Sequence, residues 1–202
     1  MTTQATAPQK QRAWLPVLLI GLRLLLICAA VAGIISFVHA VTKPKAEANL
    51  REEKRKAIIN IFATDTLTYE QDADDAAFYR VFDAEKSPIG YCVESTVGGF
   101  GGDLTLMVGF DAAGTIKGVS IISHSETPGL GARVNDVNYL SQYIGHSGEQ
   151  KLDTTADVIV GGNNGQIDAI SGATISSRAV LSAVNAATER LQTYLASGGD
   201  AQ

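Results

Sequence analysis

The fold class this chain predicts is α+β: one N-terminal transmembrane helix, then a twisted antiparallel sheet with helices packed on it. Three observations carry that reading. Leu24 to Ala40 is a mostly apolar run of 17 residues, near the lower length limit for crossing a hydrocarbon core of about 30 Å. Four successive segments between residues 78 and 123 alternate with period two and are joined by short turns, the pattern of neighbouring antiparallel strands. Between 176 and 196, Val180, Leu181, Val184, Ala187, Leu191 and Leu195 recur at helical spacing, which gives one apolar helix face.

The first element is the anchor. Residues 1–14 precede it, and 15–41 form the transmembrane helix; basic residues on both sides leave its orientation open, and only the family resemblance given below implies that 1–14 is a cytoplasmic N-terminus. Arg23 interrupts the longer apolar stretch. A central charge costs about 2.5–3.5 kcal/mol on insertion scales, so Arg23 is expected to snorkel to the near interface, with Trp14 as an aromatic anchor there. Val38-His39-Ala40 resembles a signal-peptide cleavage site, but the apolar run is long for such a peptide. Ile27-Cys28 lacks the small residue expected before a lipoprotein cysteine. The uncleaved anchor is therefore preferred.

Next comes a helical stalk, 42–62, expected to follow a break at Pro44. Residues 63–77 are acidic and Ala-rich and read as loop or short helix. They open the domain that runs from 63 to 202. The strands follow: Phe78 to Phe82, Ile89 to Val97, Leu104 to Phe110 and Thr115 to Ser123. Gly98 to Gly102 is a flexible loop, and Asp111-Ala112-Ala113-Gly114 is a hairpin turn. Asp136 to Ile144 reads as a short helix, and Asp157 to Val160 as one more strand before the loop GGNNG. A helix from Ser176 to Ala196 ends the fold.

Charge excludes one class of partner. Residues 1–45 hold five basic residues and no acid, whereas the remainder holds 11 basic and 21 acidic residues. Phosphate contacts need clustered Lys and Arg, so nucleic acid is not expected. Cys28 and Cys92 have no metal-ligand spacing and read as small buried hydrophobes. No metal site and no catalytic residue is expected. The histidines form no Ser-His-Asp pattern, so a hydrolase is not favoured either.

The stretch Ser171-Gly172-Ala173-Thr174 is open to two readings. A helix starting near Ser176 has unpaired N–H groups and a partial positive charge at that end. A phosphate at Thr174 would be held there, with help from Ser177 and Arg178. Alternatively, Ser and Thr simply cap the helix.

Asp168-Ala169-Ile170-Ser171-Gly172-Ala173-Thr174 resembles the D-x-x-S/T-G-A-T flavinylation motif, and His124 to Gly131 (HSETPGLG) resembles the loop that accompanies it. The Gly98–Gly102 loop with Phe100 resembles a GYGG-type loop of the same domains. From about residue 15 to 197 the chain is similar to the G subunits of Rnf ion-translocating oxidoreductase complexes. The C subunit of sodium-pumping NADH:quinone reductases is the near alternative, and another extracytosolic flavinylated electron carrier is a further one. A membrane-tethered binding or scaffold module is the non-redox one, with the SGAT stretch as a plain cap.

The resemblance implies one covalent FMN per chain, joined through its phosphate to Thr174, which makes the chain a phosphoprotein. A FAD:protein FMN transferase would attach it, with Asp168 as its recognition signal. Ser171, Gly172 and Ala173 would shape the turn, and Ser177 would contact the phosphate. Glu126 and Thr127 would make polar contacts to the flavin, and Leu130 and Gly131 would pack near its ring. His124 reads equally as a structural residue or a flavin neighbour. Implied partners are the other membrane and soluble subunits of the complex, together with membrane lipid. The chain would lie in the cell inner (cytoplasmic) membrane with its FMN domain on the extracytoplasmic side. It would serve ferredoxin:NAD electron transfer coupled to Na⁺ or H⁺ pumping and show no turnover alone.

Overall fold

The computed structural model describes residues 14–64, 66–73, 75–147, 153–155 and 166–197, with the side chains of 14–16 and 153–155 left aside. The chain divides into two units, Met1–Asn49 and Leu50–Gln202. The expected strand 157–160, the GGNNG loop, the N-terminal basic residues and the Trp14 side chain lie outside what is described.

The first helix, α1, spans Trp14–Phe62 with Pro44 inside it. The expected break at Pro44 does not occur. Proline removes one helical hydrogen bond, but strong helix formers flank it on the C-terminal side, from Ala46 to Lys56. Lys43 and Glu47 pair one turn apart across it at 3.9 Å. In the first unit, every side chain from Val17 to Val41 is exposed, and this stretch is long and apolar enough to cross a bilayer. Cys28 is exposed here, contrary to the buried position expected of it.

The second unit is built on a five-stranded antiparallel sheet in simple sequence order. Its strands are β1 (Thr68–Gln71), β2 (Phe78–Phe82), β3 (Pro88–Gly98), β4 (Asp103–Asp111) and β5 (Ile116–Ser123). Strands β2 to β5 match the period-two reading to within a residue or two. Strand β1 replaces the loop or short helix expected in 63–77. It is an edge strand with little burial, so its sequence carries no apolar alternation to betray it.

Alternation sends side chains to two buried faces. One face carries Phe78, Tyr91, Val93, Leu106, Val108 and Phe110 and packs on the C-terminal helix α3, Thr174–Ala196, through Val180, Val184, Ala187 and Leu191. The other carries Tyr79, Val81, Cys92 and Met107 and is covered by Ala57, Ile58 and Ile61 of α1. The residues expected to form helix 136–144 fold into a one-turn helix α2, Val137–Leu140, followed by a 3₁₀ turn. Two short strands not foreseen from the sequence, β6 (Asp153–Thr155) and β7 (Gln166–Asp168), pair in parallel.

Polar groups tie these layers together. Lys54 Nζ lies 2.6 Å from Glu94 Oε2, and the Tyr79 hydroxyl donates to the same oxygen at 3.4 Å. Burial opposes the Lys54 charge, but the Glu94 hydrogen bond and charge outweigh it and hold its pKa above the usual 10.5. Burial raises the hydroxyls of Tyr79, Tyr139 and Tyr143 above the usual 10.0. All four groups bind protons more tightly folded than unfolded. Their contribution is therefore complete below the unfolded values of 10.0 and 10.5 and is lost as the pH rises past them. The urea midpoint is expected to be level from neutral pH to about pH 9 and to fall beyond pH 10. Tyr143→Phe should make that fall shallower, and a midpoint unchanged to pH 11 would contradict the assignment.

Candidate functional site

Two glycine turns of the same design build the site. In the first, the Leu130 N–H donates to the Thr127 carbonyl at 3.2 Å, with Pro128 and Gly129 between them and Gly129 at φ 77°. In the second, the Ala173 N–H donates to the Ile170 carbonyl at 2.9 Å, with Ser171 and Gly172 between them and Gly172 at φ 79°. A positive φ at the third turn position favours glycine. The turns meet: a Cβ on Gly172 would lie 3.1 Å from Leu130 Cδ1.

The second turn leads straight into α3. The helix begins at Thr174, two residues earlier than expected, and its N-cap residue is Ala173, which offers no side-chain acceptor. Neither serine nor threonine caps this helix, so the plain-cap reading of Ser171 to Thr174 does not hold. The first N–H groups of α3 lack a helical partner and keep their partial positive charge at Thr174. The Thr174 side chain is half-buried.

A pocket of about 280 Å³ opens at this helix start, lined by residues of three segments: Phe100; Glu126, Thr127, Leu130 and Gly131; and Gly172 to Ser176. Phe100 is 67% exposed, Ile175 56% and Leu130 45%. These are three of the seven large hydrophobic side chains exposed among the described residues from Leu50 onward. Such a cluster at one concave spot marks a binding surface for an apolar group.

The carboxylate of Glu126 forms the back of the pocket. Only 5% exposed, Glu126 accepts through Oε1 from the Phe100 N–H at 2.7 Å and, more weakly, from the Gly101 N–H at 3.4 Å. Its Oε2 accepts from the Ser176 hydroxyl at 2.8 Å. A Cβ on Gly99 or Gly131 would collide with this carboxylate. The Glu126 N–H donates to His124 Nδ1 at 3.3 Å, which gives His124 a structural role.

The first turn of α3 is also held from behind. Ser177 Oγ accepts from the Ile170 N–H at 3.0 Å, and the Tyr139 hydroxyl donates to the Ser177 carbonyl at 3.2 Å while bonding the Tyr143 hydroxyl at 2.9 Å. Tyr91, Tyr139 and Tyr143 are core residues.

The structure thus brings together Glu126, Thr127, Leu130, Gly131, Gly172, Ala173 and Thr174. It leaves four of the expected residues off the lining. Ser177 is fully buried and committed to Ile170, so it does not face the pocket as expected; its neighbour Ser176 does. Ser171 is exposed on the turn. Asp168 ends β7, where its N–H donates to Gln142 Oε1 at 2.8 Å, and its Oδ1 is buried with no hydrogen-bond partner among the described residues. Arg178 is exposed and is not part of the lining. Sequence reasoning missed Ile175 and Ser176. The signal available for Ile175 was an apolar residue inside an otherwise small and polar helix start.

The site suits a flavin mononucleotide on two counts. Exposed apolar side chains match a planar ring, and an uncapped helix N-terminus matches a phosphate. Comparison with known proteins agrees. The FMN-binding domain family matches residues 99–189, a range that holds every residue lining the pocket. The chain is 30% identical to the G subunit of the ion-translocating oxidoreductase complex of Methanosarcina acetivorans over 175 residues, covering 82% of this chain and 89% of that protein. It is also 30% identical to the G subunit of the proton-translocating ferredoxin:NAD(+) oxidoreductase complex of Clostridium ljungdahlii, covering 80% and 84%. Among solved structures, it is similar to NqrC of Shewanella oneidensis, with 27% identity, a TM-score of 0.48 and coverage of 58% and 62%.

Proposed function

The chain belongs to the family of G subunits of ion-translocating oxidoreductase complexes, and on that premise we propose that it carries FMN covalently, with the FMN phosphate esterified to Thr174. It is a membrane-anchored electron-transfer subunit whose other partners are the remaining subunits of such a complex. The observation that carries the attachment is the position of Thr174: first residue of α3, without a side-chain cap, at the edge of an apolar pocket.

The chemistry of attachment balances simply. The Thr174 hydroxyl oxygen forms a new bond to the FMN phosphorus of FAD as the phosphoanhydride bond breaks. AMP leaves, and the hydroxyl proton is lost. A FAD:protein FMN transferase would catalyse this step, with Asp168 in its recognition signal. The N–H groups of the first α3 turn would hold the phosphate and stabilise its charge.

Bound flavin supplies stepwise acceptance and release of one or two electrons. This chain's residues do the rest. Phe100, Leu130 and Ile175 exclude water from the ring. Gly172 and Gly131 allow close approach. The ester prevents loss of the cofactor to a compartment poor in free flavin, which fits a domain on the extracytoplasmic side with α1 as its anchor.

The test is expression with an active transferase, followed by denaturation and gel electrophoresis. Flavin fluorescence should travel with the band. A dark band, in a preparation where the transferase modifies a control acceptor, would refute the proposal.

A further inference from the structure

We infer that Glu126 is a positioning residue for flavin attachment: its buried carboxylate ties the 99–101 loop to the first turn of α3 and so sets the pocket in which Thr174 is presented. The inference rests on the reading of Thr174 as the acceptor. Its warrant is geometric.

The two oxygens of Glu126 serve two different walls. Oε1 takes the Phe100 N–H at 2.7 Å on the loop side, and Oε2 takes the Ser176 hydroxyl at 2.8 Å on the helix side. Those residues are 26 and 50 positions away in sequence, so the carboxylate joins segments that are far apart along the chain. The chain is shaped around the carboxylate, since a side chain on Gly99 or Gly131 would occupy its place. The group accepts every one of these bonds and donates none, which suits an ionised carboxylate. Buried acceptors of this kind are costly to remove, because the donors they satisfied are then left unpaired. Glu126 lines the pocket, yet both of its carboxylate oxygens are engaged by protein donors.

The experiment uses the full chain in detergent and two readouts. One is hydrogen exchange of the 98–102 segment in flavin-free protein. The other is the initial rate of flavin transfer from FAD by the transferase. Glu126→Ala should speed exchange and slow transfer, each about tenfold or more. Glu126→Gln should remain within about threefold of wild type in both, because its carbonyl can face the loop while its amide donates to the Ser176 oxygen. Transfer at the wild-type rate in Glu126→Ala would overturn the inference. So would a Glu126→Gln protein as impaired as Glu126→Ala, since charge and not positioning would then be at work.

If Glu126→Ala does not fold, Ser176→Ala breaks the helix arm alone. It should leave the loop protected and slow transfer several-fold, and an unchanged rate would count against the inference. Thr174→Ala run alongside separates the two readings. Labelling that persists there refutes the acceptor, while the exchange data still decide the clamp.

Discussion

Thr174→Ala is expected to remove covalent flavin completely: the denatured band should lose fluorescence to background while the protein folds as before. The two halves of this expectation have separate causes. Only a hydroxyl at residue 174 can accept the phosphoryl group, and no other hydroxyl at the start of α3 combines a place in the lining with freedom from a protein hydrogen bond. Ser176 is engaged with Glu126, and Ser177 is buried against Ile170. Folding should survive because Thr174 is only half-buried and Ala173, not Thr174, is the cap. Alanine is the better helix former, so stability should change by less than about 1 kcal/mol. Thr174→Ser keeps the nucleophile and should still be labelled. Fluorescence retained in the alanine variant at wild-type intensity would place the attachment elsewhere.

The strands were legible because both faces of the sheet are buried and each apolar residue has a fixed side. Phe78, Val93 and Val108 go to one core, and Val81, Cys92 and Met107 to the other. Where burial fades, so does the signal. The edge strand β1 reads TYEQ, with three of four residues exposed, and it resembled a loop. The start of α3 was misplaced for a different reason. Cap preferences point to Ser and Thr, whereas this helix begins after an alanine, and a helix without a side-chain cap leaves no such mark. The lining also holds Ser176, where the sequence reading named its neighbour Ser177. Adjacent helix positions point about 100° apart, so a small change of frame decides which one faces a pocket.

The motif residues were legible individually, but their arrangement was not. Nothing local in the sequence says that Glu126 reaches both Phe100 and Ser176. Those contacts depend on how the loop after β3, the loop after β5 and α3 converge once the sheet has formed. The glycines were the nearest available sign. Gly99 read as a flexible loop position and Gly131 as a neighbour of the flavin ring, but the folded chain uses both as space for the carboxylate.

The second large effect concerns Gly90, and it tests how the end of α1 is seated on the sheet. Gly90, Gly109 and Gly118 lie on β3, β4 and β5, with Gly109 paired directly to Gly118. Above them sit Ile61 and Phe62, close enough that side chains on these glycines would meet them. A Cβ on Gly90 would also collide with the Phe110 carbonyl, which is backbone and cannot rotate away, and would come within 3.1 Å of Phe62 Cε1. Gly90→Ala must therefore spread β3 from β4 or lift α1, at a cost of about 3 kcal/mol, the upper end for overpacking. For a domain of roughly 150 residues this is a fall in Tm of about 6–12 °C. The other glycines grade the effect. At Gly118 the nearest atom to an added Cβ is Ile61 Cα at 3.4 Å, an ordinary contact, and at Gly98 nothing lies within 4 Å. Gly118→Ala should cost less than Gly90→Ala, and Gly98→Ala should stay within about 1 kcal/mol of wild type. If all three melt alike, the glycines serve chain flexibility and not the close approach of α1. If the graded order appears, the helix that follows the membrane segment is a fixed part of the domain core, held by Ile61 and Phe62 against bare backbone.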